Sequence, residues 1–201
     1  MRLLQKQIGM MPVILGSGSP RRKEILEQVG ITHTVIVSQL EEKITKTKPE
    51  QVVMELAEQK GMNVSLQVEE GLIIGADTVV AIDGKILGKP KNEEDAFKML
   101  QELSGNIHSV FTGVCMILKK DGGIVDKSVF FEETNVKMCS MTEEEIKDYI
   151  MGGEPMDKAG AYGIQGEAGM FIESIQGDYY NVVGLPLARV VKEMKKIWNQ
   201  Q

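Results

Sequence analysis

The Asp83-Gly84 pair lies between two short apolar runs, Val79–Ile82 and Lys85–Leu87. An Asp-Gly pair at that spacing supplies the two positive-φ positions of a tight hairpin turn, so an antiparallel strand pair is required here. The rest of the chain alternates strand-like and helix-like segments. Pro12–Leu15 reads as a buried strand, Pro20–Val29 as a helix stopped by Gly30, and Thr34–Ser38 as a weak strand. Glu50–Lys60 has helical spacing, Leu72–Gly75 is a short apolar strand that ends at Ala76-Asp77-Thr78, and Asn92–Leu103 is a capped helix. Val110–Leu118 and Val129–Val136 read as long strands joined through Asp121-Gly122-Gly123. Thr142 to Glu145 forms a capping box, and a glycine-rich loop runs from Glu154 to Gly169. Met170–Ile175 and Tyr179–Val183 read as a second hairpin around Gln176-Gly177-Asp178, and a helix follows Leu185-Pro186. Alternation predicts an α/β fold, and the hairpins exclude a uniformly parallel sheet. The expectation is a mixed central sheet with flanking helices.

The 201 residues, 42% of them hydrophobic, suffice for one α/β domain with a sizeable core. A net charge of −6 without a basic stripe argues against gripping a nucleic-acid backbone, while a single nucleotide needs only a local cation cluster. Cys115 and Cys139 have no CxxC spacing and read as buried free thiols of a reducing cytoplasm. Residues 1–11 read as an N-terminal extension, too short and polar for a signal peptide or a membrane span. The expectation is a cytoplasmic protein.

Chemistry concentrates in a few places. Gly16-Ser17-Gly18-Ser19 leads from a strand into Pro20-Arg21-Arg22, with Ser19 a good N-cap and Pro20 suited to the first helical position. Cations in a first helical turn oppose the helix dipole, so paired guanidinium groups behind a small-residue turn point to an anion, most naturally phosphate. Asp77 ends an apolar run at a sheet end, where a carboxylate needs a cation, a metal or hydrogen-bond donors. That placement suits a metal ligand or a general base. Lys89 before Pro90, Glu42 in a polar loop and Lys60 at a helix end are weaker signals. Asp157 to Gly166 surrounds Tyr162 and Gln165 with small residues, and the Gln165 amide could pair with the imide edge of uracil or thymine. No GxxxxGK[ST] run is present, and Gly160, Gly163 and Gly166 do not match the dinucleotide fingerprint. His33 and His108 have no partner spacing and read as structural or surface residues.

Taken in order, these motifs resemble the Maf family of nucleotide pyrophosphatases from Leu15 to about Leu187. The matching segments are Ser17-Gly18-Ser19-Pro20-Arg21-Arg22, Gly75-Ala76-Asp77-Thr78, Gly88-Lys89-Pro90, Ser104-Gly105 with His108, Asp157 to Gly166, and Gly177 to Pro186. The resemblance implies an elongated mixed sheet with two lobes around a cleft, of the Maf/ITPase-like type. It also implies a divalent-metal-dependent hydrolase that cuts nucleoside triphosphates between the α and β phosphates, and a homodimer.

Carried onto this chain, Asp77 resembles the catalytic proton acceptor, and Arg21, Thr78 and Gln165 resemble the positions that set base specificity. Ser17, Ser19, Arg22, Glu42, Lys60 and Lys89 match polar positions of the family's cleft. Arg21, Thr78 and Gln165 together resemble the branch acting on dTTP and UTP, not the one acting on 7-methyl-GTP. Mg²⁺ or Mn²⁺ is expected on Asp77 and Glu42, with Asp77 as base, ligand or both. Two other readings are a nucleotide-binding regulator of cell division without significant catalysis and a pyrophosphatase for modified purine nucleotides. One departure from the family is Gly61, where relatives usually carry alanine, with fraying of that helix end as the expected effect.

Overall fold

A computed structural model describes residues 11–199. The N-terminal extension expected over residues 1–11 thus falls, except for Met11, outside the described residues. The strands and helices, in chain order, are β1 (Val13–Leu15), α1 (Pro20–Gln28), β2 (Thr34–Val35), α2 (Pro49–Ser65), β3 (Gly71–Ile82), β4 (Lys85–Leu87), α3 (Glu93–Leu103), β5 (Ile107–Lys120), β6 (Gly123–Met138), α4 (Glu143–Met151), β7 (Ile172–Gln176), α5 (Tyr179–Val183) and α6 (Leu187–Asn199). The sheet order is β2-β1-β3-β5-β6-β7, with β4 on the far half of β3. β1 pairs parallel with both β2 and β3, whereas β4 pairs antiparallel with β3 and β7 with β6. The expected mixed α/β architecture is therefore present. Among the described residues no helix is long and apolar enough to cross a membrane.

The chain forms two compact units. The first takes the described residues up to Asp77, then Thr112–Glu132 and Gly184 onwards; the second takes Thr78–Phe111 and Glu133–Val183. Each has its own core. In the first, Ile14, Ala57, Val64, Ile73, Cys115 and Ile117 pack together. In the second, Val80, Leu100, Val110, Val136, Ile146 and Tyr162 belong to a larger cluster.

Helix α2 lies unusually close to its sheet. A Cβ on Gly75 would stand 2.5 Å from the Ala57 carbonyl oxygen and 2.7 Å from the Gly61 nitrogen, so only glycine fits there. Gly61 faces the Cys115 sulfur, 3.1 Å from where its own Cβ would be. The helix does not fray at Gly61 but continues to Ser65, where the buried Lys119 ammonium donates to the Ser65 and Val68 carbonyls at 2.8 and 2.7 Å. A cation on the Ser65 carbonyl, at the C-terminal end of the helix, is favourable.

Two further expectations change. Gly71–Ile82 is one continuous strand, so Asp77 lies within it and not at an end. Tyr179–Val183 is a helix and not the second arm of a hairpin. Asp178 accepts the Tyr180 N–H at 2.8 Å and starts a helical turn, while β7 pairs instead with β6 through Asn135↔Gln176 and Val136↔Ile175. The Asn92 cap and the Thr142–Glu145 capping box form as expected.

Candidate active site

The first unit carries Ser17, Ser19, Arg21, Arg22, Glu42, Lys60 and Asp77. Close packing of α2 on β3 through Gly75 sets Lys60 beside Asp77: its Nζ donates to Asp77 Oδ1 at 2.5 Å and lies 3.0 Å from Glu42 Oε1. The Lys60 and Asp77 side chains are mostly buried, at 18% and 15% exposure, while Glu42 is 45% exposed. Two carboxylates thus converge on one cation. Their hard oxygen donors are the kind Mg²⁺ or Mn²⁺ takes alongside phosphate oxygens and water, so Asp77 and Glu42 fit a divalent ion. Among the described residues no group of three or more His, Cys, Asp or Glu is placed to hold a metal. Any such ion would draw its other ligands from substrate and solvent.

The arginine pair divides. Arg22 turns inward and is 9% exposed. Its Nε donates to the Gly184 carbonyl at 2.7 Å, and its Nη1 donates to Ser17 Oγ and to the Ala76 carbonyl, both at 2.9 Å. Burial lowers its pKa, and the nearby Asp77 charge opposes that shift. Arg22 therefore joins the β1–α1 turn to the peptide preceding Asp77, and its charge is not spent against the helix dipole in solvent. Arg21 is half-buried. Ser19 occupies the N-cap position in extended conformation, but its hydroxyl makes no cap bond; its N–H donates to Ser17 Oγ at 3.3 Å.

The second unit carries Thr78, Lys89 and Gln165. Thr78 is half-buried and follows Asp77 along β3, while Lys89 and Gln165 are exposed. The Gly160 N–H donates to the Gly88 carbonyl at 3.0 Å, which ties the glycine-rich loop to the peptide before Lys89. Two successive residues of that loop, Gly160 and Ala161, have φ of +68° and +61°. Positive φ at a buried alanine is uncommon and costly enough to need enforcement by its surroundings. Next to it, Tyr162 is 5% exposed and shares a 2.7 Å hydrogen bond with Nε2 of His108, which is itself 2% exposed. Burial pushes the His108 pKa down to about 4. Burial also raises Cys115 to about 12, an inert thiol as expected.

Sequence reasoning missed the His108–Tyr162 pair, whose members lie 54 positions apart.

Known proteins resemble this chain closely. A dTTP/UTP pyrophosphatase of Lachnoclostridium phytofermentans is 54% identical over 93% of this chain and 95% of its own. Proteins of the same name from Agathobacter rectalis and Bacillus cereus are 49% and 50% identical, covering 94% and 93% of this chain and 98% and 96% of theirs. Among solved structures, a HAM1 protein from Coxiella burnetii shares the fold at a TM-score of 0.50 and 10% identity, covering 96% of this chain and 100% of that one. The family model described as Maf-like protein matches residues 12–197, and the chain belongs to the Maf family.

Proposed function

We propose that this protein hydrolyses dTTP and UTP to the nucleoside monophosphate and pyrophosphate, clearing them or modified pyrimidine relatives from the cytoplasmic nucleotide pool. The observation that carries this reading is the Lys60 ammonium gathering Asp77 and Glu42, at 2.5 and 3.0 Å, beside the buried Arg22. Relatives near half identity that are named dTTP/UTP pyrophosphatase support it.

Lys60 holds one oxygen of Asp77, which orients the carboxylate to take a proton from the attacking water. Asp77 and Glu42 would hold a divalent ion, which when bound would supply Lewis-acid polarisation of the α-phosphate. Arg21 and Lys89 neutralise charge on the departing pyrophosphate, an electrostatic contribution to lowering the barrier. Arg22 adds its positive field from a buried position and fixes the Ser17 hydroxyl and the Ala76 carbonyl. Ser17 and Ser19 line the phosphate turn. Thr78 and Gln165 read the pyrimidine edge, with Gln165 offering a donor and an acceptor to uracil or thymine.

Asp77→Asn should nearly abolish pyrophosphate release from dTTP and UTP while the protein stays folded, because Lys60 keeps Glu42 as a partner. Release is measured with Mg²⁺ or Mn²⁺, and folding by urea denaturation. Retention of more than half the parent rate would remove Asp77 from the mechanism. Orthophosphate in place of pyrophosphate as the product would overturn the reaction itself.

A further inference from the structure

Gln165 stands at the third position of a tight turn, closed by the Gly166 N–H donating to the Gly163 carbonyl at 3.0 Å. The Glu154 carboxylate reaches one end of that turn through the Tyr149 hydroxyl and meets the backbone just past the other end directly. Glu154 Oε1 accepts the Tyr149 hydroxyl at 3.0 Å, and that hydroxyl oxygen accepts the Gly163 N–H at 3.3 Å. Glu154 Oε2 accepts the Glu167 N–H at 2.9 Å. A Cβ built on Gly166 would fall on the Glu154 carboxylate itself, and one on Gly163 would stand 3.0 Å from Oε1. Gly166 has φ −101°, outside the left-handed region that favours glycine. What a side chain at this position would meet is the Glu154 carboxylate. Glu154 is held in turn by the 3₁₀ turn Glu154–Asp157, where the Lys158 ammonium donates to its carbonyl at 3.2 Å.

We propose that Glu154 is a positioning residue for pyrimidine selection, its carboxylate filling the hollow of the Gly163–Gly166 turn and fixing the direction in which Gln165 is presented. The proposal rests on the reading of Gln165 as the residue that meets the base. An exposed glutamine on a glycine-flanked turn would otherwise sample several directions, and a reader that does so discriminates poorly.

The test is steady-state kinetics of the full chain on dTTP, UTP and CTP for Glu154→Ala, Gly166→Ala, the double variant and Gln165→Ala. Glu154→Ala should raise KM for dTTP roughly tenfold and reduce the preference for dTTP and UTP over CTP by a similar factor, with kcat lowered less than about threefold. Gly166→Ala should do the same, because its Cβ displaces the carboxylate. The double variant should be no worse than Glu154→Ala alone, since the group that Cβ meets is gone. Multiplying defects in the double variant would overturn the proposal. So would parental selectivity in folded Glu154→Ala or Gly166→Ala while Gln165→Ala loses it, leaving the reading of Gln165 standing. Parental selectivity in Gln165→Ala would overturn that reading and this proposal together. If Glu154→Ala fails to fold, Gly166→Ala decides the question.

Discussion

His108 shows how much one buried ring can contribute at the scale of a residue. Its Nε2 bonds the Tyr162 hydroxyl, its Nδ1 is buried with no hydrogen-bond partner among the described residues, and burial holds its pKa near 4. The unfolded chain takes up the proton at about pH 6.5. Because the folded value is the lower one, the associated stability is complete above pH 6.5 and declines as pH falls from there towards 4. At pH 5 the loss should be about 2 kcal/mol. Urea unfolding at pH 7.5 and pH 5 should therefore show a larger acid loss in the parent than in His108→Gln, and equal losses would contradict it. Arg22 illustrates what a single residue hides. Its place in a first helical turn behind a small-residue loop was legible, and so was the need for an anionic or polar partner. That it turns inward was not, because its backbone acceptors, Ala76 and Gly184, lie 54 and 162 positions away along the chain.

Between elements, the decisive contact is α2 on β3. Gly75 lets the helix backbone approach the strand, and that approach is what brings Lys60 within 2.5 Å of Asp77. Gly75→Ala places a Cβ against helix backbone that has no rotamer to change, so α2 must shift. The expected cost is about 1–3 kcal/mol in urea denaturation, with a fall in pyrophosphate release larger than the loss of folded protein explains. A fully active, equally stable Gly75→Ala would separate the Lys60–Asp77 pair from the packing. Element types were mostly readable where local signals agreed, as at the Asn92 cap, the Thr142–Glu145 box and the Asp83-Gly84 turn. Tyr179–Val183 misled because its residues favour strands, whereas Asp178 caps a helical turn and Thr134 holds both backbone groups of Asp178 at 3.0 and 3.1 Å. The packing roles of Gly61 and Gly75 were not legible, although both residues were singled out. A glycine in a helix reads as a weak point until the neighbour that needs the space is known.

On the scale of the whole molecule, the two units have separate cores, although β3, β5 and β6 contribute residues to both. Leu100 is fully buried in the core of the second. Leu100→Ala should cost about 2–5 kcal/mol by creating a cavity. Amide exchange should accelerate more in Glu93–Leu103 and Glu143–Met151 than in Pro49–Ser65, because local opening follows the core that was weakened. Uniform acceleration along the chain would show that the molecule opens as one cooperative body.

Sequence by itself determined the α/β class, the mixed sheet, most element types and the family, because hydrophobic period, caps and turn residues act over a few positions. It also marked Asp77, the arginine pair and Gln165 as chemically unusual. Tertiary structure alone decided that Lys60 balances two carboxylates, that Arg22 is an internal clamp, and that Glu154 fills the hollow beneath Gln165. Arg22 depends on carbonyls outside its own element; the other two depend on glycines whose missing Cβ acquires meaning only when the packed neighbour is in place.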